Sequence, residues 1–199
     1  MSDEIEDVEE SDATEQIDDV EEAVDPEASS EDQESEDSEL LYGCPTSESR
    51  GQQVIHPHQD DWFDVATALF QDDWNMCVDV TAVDYSAYGP ARQLPAGIEP
   101  ERFELVVSFI SHRRRDRIRA RIQVPESDLT VASLHQLYPG TDHLEREVFD
   151  MFGIVFDGHP DLTRILMPET WQGYPLRKDF AIGRIPVQFK GSQHEVPQP

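Results

Sequence analysis

Residues 142–180, DHLEREVFDMFGIVFDGHPDLTRILMPETWQGYPLRKDF, constrain the fold more than any other stretch of this chain. The first third is periodic. Leu144, Val148, Met151 and Phe152 recur at helical spacing and define one apolar face. Asp142 followed by Glu145 has the form of a capping box, and Glu145, Arg146, Glu147 and Asp150 are expected largely on the polar surface. Gly153 is placed to end the helix in a left-handed turn. Ile154–Phe156 forms a short apolar extension, and Gly158-His159-Pro160-Asp161 is turn chemistry. Beyond it Pro160, Pro168 and Pro175 interrupt any helix or central strand. Leu162, Ile165, Leu166, Met167, Trp171, Tyr174, Leu176 and Phe180 nevertheless supply too much apolar surface for a free tail. An apolar, charged strap punctuated by proline is expected to lie across another surface, and the reading here is a neighbouring subunit.

Charge divides the chain. Of its 43 acidic residues, 21 precede residue 50, where no Lys or Arg occurs. Glu, Asp and Ser dominate that segment, which cannot bury enough apolar surface to offset its ordering entropy. Three regions are therefore expected: a disordered acidic tail over 1–52, an α+β domain over 53–157, and an extended C-terminal segment over 158–199 that packs on partners. No apolar run approaches the ~20 residues of a membrane span. The N-terminus has neither the basic start of a secretory signal nor the Arg-rich character of a mitochondrial presequence, so a bacterial cytoplasmic setting is the default. Two distant cysteines, Cys44 and Cys77, make no disulfide framework, and an iron–sulfur cluster usually needs four.

Within the domain, Asp60–Gln71 reads as an amphipathic helix behind an Asp cap. Met76–Tyr85 reads as a strand with Met76, Val78, Val80 and Ala82 on one face, and residues 86–100 as a long loop. Residues 102–123 form the clearest hairpin, connected through SHRRRD. Alternation puts Arg117, Arg119 and Arg121 on the face opposite Ile118 and Ile122. Asp128 or Thr130 is expected to cap a short helix carrying Val131, Leu134 and Leu137. This order implies a two-layer α+β fold, its antiparallel or mixed sheet covered on one face by helices.

Chemistry-bearing constellations are weak. His143-Leu144-Glu145 has the form of half a zinc deaminase signature, but no Cys-x-x-Cys follows. His143 and Glu147 could share a helix face as metal ligands, without a third donor at suitable spacing. Glu145, Glu147 and Asp150 lie near Arg146 and Arg164, while Asp161 and Asp179 neighbour Arg164 and Arg177-Lys178, so the set reads as ion pairs and not proton shuttles. Phosphate-binding and nucleophile-elbow motifs are absent. The arginine-bearing strand lacks aromatics interleaved for stacking bases, and the domain is net acidic. No catalytic, cofactor-binding or metal-binding residue is assigned.

Glu145-Arg146-Glu147, Asp150–Ile154, Gly158–Leu162, Arg164-Ile165-Leu166 and Pro175–Phe180 together resemble the 30-kDa subunit family of respiratory complex I, the bacterial NADH-quinone oxidoreductase. The resemblance spans roughly residues 60–182. His143 and Leu144 stand where the family commonly has two aromatics, and Thr163 where a second arginine often precedes Arg164. The resemblance implies a subunit without cofactor in the peripheral arm, on the cytoplasmic face of the cell membrane. Its implied neighbours are the subunit forming the quinone cavity and the subunit holding the terminal iron–sulfur cluster. FMN, the iron–sulfur clusters and quinone belong to the complex as a whole, which passes electrons from NADH to quinone and pumps protons. Glu145, Arg146, Glu147, Asp150, Gly153, His159, Pro160, Asp161, Arg164, Pro175, Arg177, Lys178 and Asp179 are the expected structural or interface residues. Competing readings are the equivalent subunit of a membrane-bound hydrogenase or of a complex oxidising reduced F420, a stand-alone zinc or acid/base hydrolase, and a nucleic-acid binder.

Overall fold

The structure is a computed structural model describing residues 40–88, 92 and 94–181. Its elements are β1 (Leu40–Leu41), β2 (Cys44–Ser49), β3 (Gln52–Ile55), α1 (Trp62–Gln71), β4 (Met76–Asp84), β5 (Phe103–Ser111), β6 (Asp116–Val124), β7 (Thr130–Ala132), a 3-10 turn (Pro139–Thr141), α2 (Asp142–Phe152) and β8 (Val155–Asp157). Strands β1 to β6 form one sheet in the order β1-β2-β3-β6-β5-β4. All its pairings are antiparallel except β3 with β6. The expected mixed sheet with helices on one face is therefore present. Most of the acidic N-terminal stretch, and residues 182–199 of the C-terminal segment, lie outside the described residues. Among those described, no helix is long and apolar enough to cross a membrane.

The core lies between the sheet and the helices. Phe103, Leu105, Val107 and Phe109 of β5 alternate inward with Ile118, Ala120, Ile122 and Val124 of β6, all essentially inaccessible. They meet Trp62, Val65, Ala66 and Leu69 of α1, and Val148, Met151 and Phe152 of α2. Burying side chains of this size stabilises by about 1.5–3 kcal/mol each.

Five expectations are corrected. The tail boundary at 52 falls inside β3, because residues 44–49 pair with residues 52–55 instead of extending the acidic tail. Asp61 occupies the α1 N-cap and Thr141 that of α2, and neither makes a side-chain capping bond. Asp142 is thus inside α2, and no Asp142–Glu145 capping box forms. In β4 a bulge between Cys77 and Asp79 breaks the alternation, leaving Met76 and Val78 exposed while Val80 and Ala82 enter the core. The short helix expected near Val131 is instead β7, paired in parallel with β8. Finally, Glu145 and Asp150 are fully buried and not on the polar surface.

Candidate functional site

Helix α2 explains both buried carboxylates, since each gathers a connecting segment by accepting its hydrogen bonds. Glu145 accepts from the Leu134 amide at 2.8 Å, Ser133 Oγ at 2.6 Å and Thr141 Oγ1 at 2.9 Å. It therefore fixes the 133–141 connection instead of pairing with an arginine. Asp150 does the same for the strap. One oxygen, Oδ2, accepts from the consecutive amides of Ile165, Leu166 and Met167 at 3.1, 2.8 and 2.7 Å. The other, Oδ1, takes Arg164 Nη1 at 2.5 Å. Burial would push the Asp150 carboxyl up, but these donors outweigh it and hold it below the usual carboxylate range. Arg146 also binds the strap, donating to the carbonyl and hydroxyl of Thr163 at 3.1 and 3.0 Å.

Gly153 ends α2 at φ +79°. A Cβ there would lie 2.5 Å from the Tyr174 ring and 2.6 Å from Arg177, so the strap crosses where only glycine leaves room. Just beyond, the Leu176 amide donates to the Met151 carbonyl and Arg177 Nε to that of Phe152. The Arg177 guanidinium lies over the rings of Tyr174 and Phe103, 4.4 and 5.2 Å from their centroids, a favourable cation–π geometry.

A second anchor stands at the end of β4. Asp84, only 1 % exposed, accepts from Arg102 at 3.1 Å, the Ser86 amide at 2.9 Å and the Lys178 amide at 2.8 Å. Burial alone would raise this carboxyl, yet the bonds from Arg102, Ser86 and Lys178 drive it far below the ordinary value. Arg102 also reaches Asp179 of the strap at 2.8 Å, clamping it from both sides.

The expected set therefore separates into groups. Asp150, Gly153, Arg164 and Arg177 converge at the end of α2, with Arg146 one turn back and Pro175 next to the Leu176 bond. Lys178 and Asp179 meet Asp84 and Arg102. His159 folds under the start of α2: the Asp161 amide donates to its Nδ1, so Nε2 carries the proton and donates to the Asp142 carbonyl at 3.2 Å. Pro160 and Asp161 shape that turn on the surface, and Glu147 is exposed. Asp84 and Arg102 belong to the site although neither was expected there. Their signal was a carboxylate on the inward phase of a strand, and an arginine immediately before the hairpin's first buried aromatic. Among the described residues no three His, Cys, Asp or Glu side chains are grouped to hold a metal ion.

The strap that sequence reasoning assigned to partners is thus shaped, through residue 181, by its own domain. Every residue that shapes it lies within the match to a known family, described as the respiratory-chain NADH dehydrogenase 30 Kd subunit, over residues 55–185. The chain belongs to this family. Relatives in the 30-kDa subunit family include a subunit of the NADH-quinone oxidoreductase of Saccharopolyspora erythraea, 40% identical over 75% of this chain and 57% of its own length. The same subunit from Mycolicibacterium paratuberculosis is 45% identical over 63% of this chain and 48% of its own. That from Roseiflexus castenholzii is 42% identical, with 76% and 82% covered. The chain spans about half the length of the first two of these relatives. A solved trypsin-resistant fragment of Nqo5 superposes with a TM-score of 0.54 at 30% identity, covering 60% of this chain and 90% of the fragment. A chain of a membrane-bound sulfane sulfur reductase, an archaeal respiratory membrane complex, shares the fold at 21% identity and a TM-score of 0.53, with 77% and 91% covered. Within the run EREVFD, three of the four charged residues bind the backbone of other segments.

Proposed function

We propose that this chain is a non-catalytic, cofactor-free scaffolding subunit in the peripheral arm of a proton-pumping NADH:quinone oxidoreductase. It works at the cytoplasmic face of the cell membrane, against the subunits that form the quinone cavity and hold the terminal iron–sulfur cluster. FMN, the clusters and quinone are carried by other chains. The observation that supports this reading is the fixed strap with an uncovered edge. Asp150 and Asp84 commit two buried carboxylates to holding it, yet Ile165, Leu166 and Leu176 remain 38%, 56% and 49% exposed. Covering such side chains supplies about 1.5–3 kcal/mol apiece at full burial, and a neighbouring subunit is the surface that does so.

Arg164→Ala tests it. Removing the guanidinium leaves the Asp150 carboxylate buried without its charge partner, a loss of roughly 3–5 kcal/mol. The amount of assembled complex recovered from membranes is expected to fall, with NADH:quinone turnover per assembled complex near normal. Normal assembly with abolished turnover would instead give this chain a direct part in the chemistry.

A further inference from the structure

The six-stranded sheet has two faces, and α1 and α2 pack on only one of them. On the other, Val106, Ser108 and Ile110 of β5 alternate with the buried Leu105, Val107 and Phe109. They stand opposite Arg121, Arg119 and Arg117 of β6, and opposite Thr81, Asp79 and Met76 of β4. Arg121 is committed to the buried Glu104 at 2.7 Å, and Arg119 donates to Gln52 at 3.0 Å. Arg117 is exposed and, among the described residues, its guanidinium has neither an ion pair nor a hydrogen bond.

Two turns extend this face at the Arg117 end. Strands β3 and β6 run parallel, with Gln53 beside Ile118, so the turns that precede them, at residues 50–51 and 112–115, lie at the same end of the sheet. Each holds an arginine in the left-handed region, Arg50 at φ +55° and Arg115 at φ +56°, where Asn or Gly is the usual occupant. Both are exposed, and neither has an ion pair among the described residues. Their neighbours Arg113 and Arg114 differ, being paired with Asp73 and Asp72. The nearest other carboxylates are Asp79 and Asp116, and Asp116 accepts only the Arg117 amide. Three like charges gathered at one end of a sheet repel one another until a counter-charge arrives.

We infer that this end of the open face docks an acidic, amphipathic segment of a neighbouring subunit. Its carboxylates meet Arg50, Arg115 and Arg117, and its apolar side chains cover Met76 and Ile110. Charge complementarity sets the first part, since a guanidinium fork matches a carboxylate bidentately. The apolar row decides between polypeptide and nucleic acid. Met76, 45% exposed, and Ile110 lead directly to Arg117 across the strands. They offer a phosphate backbone nothing to bind, and no aromatic ring lies in that row to stack a base. The inference rests on this chain working within an assembly, and gives it a docking face separate from the strap.

Zero-length cross-linking in the complex purified from membranes tests it. Arg115→Lys/Arg117→Lys keeps both charges and supplies amines that a carbodiimide joins to any carboxylate in contact with them. Mass spectrometry is expected to find links from positions 115 and 117 to Asp or Glu of a different subunit. Arg115→Glu/Arg117→Glu changes exposed positions only, so the urea midpoint of the isolated chain should hold, while the linked subunit dissociates roughly tenfold more readily. Links confined to this chain, no links, or undiminished retention of that subunit by the charge-reversed variant would overturn the docking face and leave the assembly reading intact. Saturable binding of a single-stranded oligonucleotide by the full chain, lost on charge reversal, would overturn the polypeptide occupant. Failure of the unmodified chain to co-purify with other oxidoreductase subunits would overturn the assembly reading, and this inference with it.

Discussion

At Asp150 the desolvation of a buried carboxylate is offset by four donors, three of them consecutive backbone amides. An amide side chain of the same shape presents an NH2 group to some of those donors and leaves Arg164 without its counter-charge. Asp150→Asn should therefore cost about 3–5 kcal/mol, measured as a lower urea midpoint of the isolated chain. Gly153→Ala combines a left-handed backbone, unfavourable by roughly 1–2 kcal/mol for a residue with a Cβ, with a collision against Tyr174. Its loss of stability should come with a changed near-ultraviolet tyrosine signal, because the ring has to move. His56 gives a pH dependence of definite sign. Buried among Arg121, Glu104 and Arg92, it stays neutral down to about 4, whereas the unfolded chain protonates near its ordinary value of 6.5. Between these values the unfolded state binds the extra proton, so stability falls as pH drops from 6.5 to 4. His56→Gln should flatten that part of the urea-midpoint profile.

At the scale of elements, α2 is an organiser that holds one connection with Glu145 and another with Asp150. The strap's two carboxylate anchors, Asp150 and Asp84, accept backbone donors, and for both the folded pKa lies below the ordinary 3.8. Their contribution is complete above that value and is lost as pH falls below it. Strap cleavage by pepsin should accordingly accelerate below about pH 4, ahead of cleavage in β5 and β6. How well these elements could be read from sequence depended on whether their cause was local. The α2 apolar face and the hairpin were legible because Leu144, Val148 and Met151, or Phe103, Leu105 and Val107, have a period of their own. The strand at Thr130–Ala132 was not, since three residues carry no period and the partner, β8, arrives only after α2. CPTSES looked like acidic tail because its own residues carry no apolar alternation; what makes it a strand lies outside it, in QQVI across the Arg50-Gly51 turn and in the core that buries Cys44. Glu145 and Asp150 read as surface charge for the same reason: the donors that justify burying them lie between 4 and 17 residues away.

For the whole molecule, the decisive property is that the domain orders its own strap before any partner arrives. Preorganisation lowers the entropy lost on docking, and it suits the proposed scaffolding part in the oxidoreductase. The sequence identified the family blocks and the apolar strap, but assigned the strap's shape to neighbours when Asp150 and Asp84 supply it. Hydrogen exchange on the isolated chain tests this most directly. The amides of Ile165, Leu166, Met167 and Lys178 should exchange far more slowly than in a free peptide, and the first three should lose that protection in Asp150→Asn. Exchange at free-peptide rates in the unmodified chain, with protection appearing only on assembly, would contradict it.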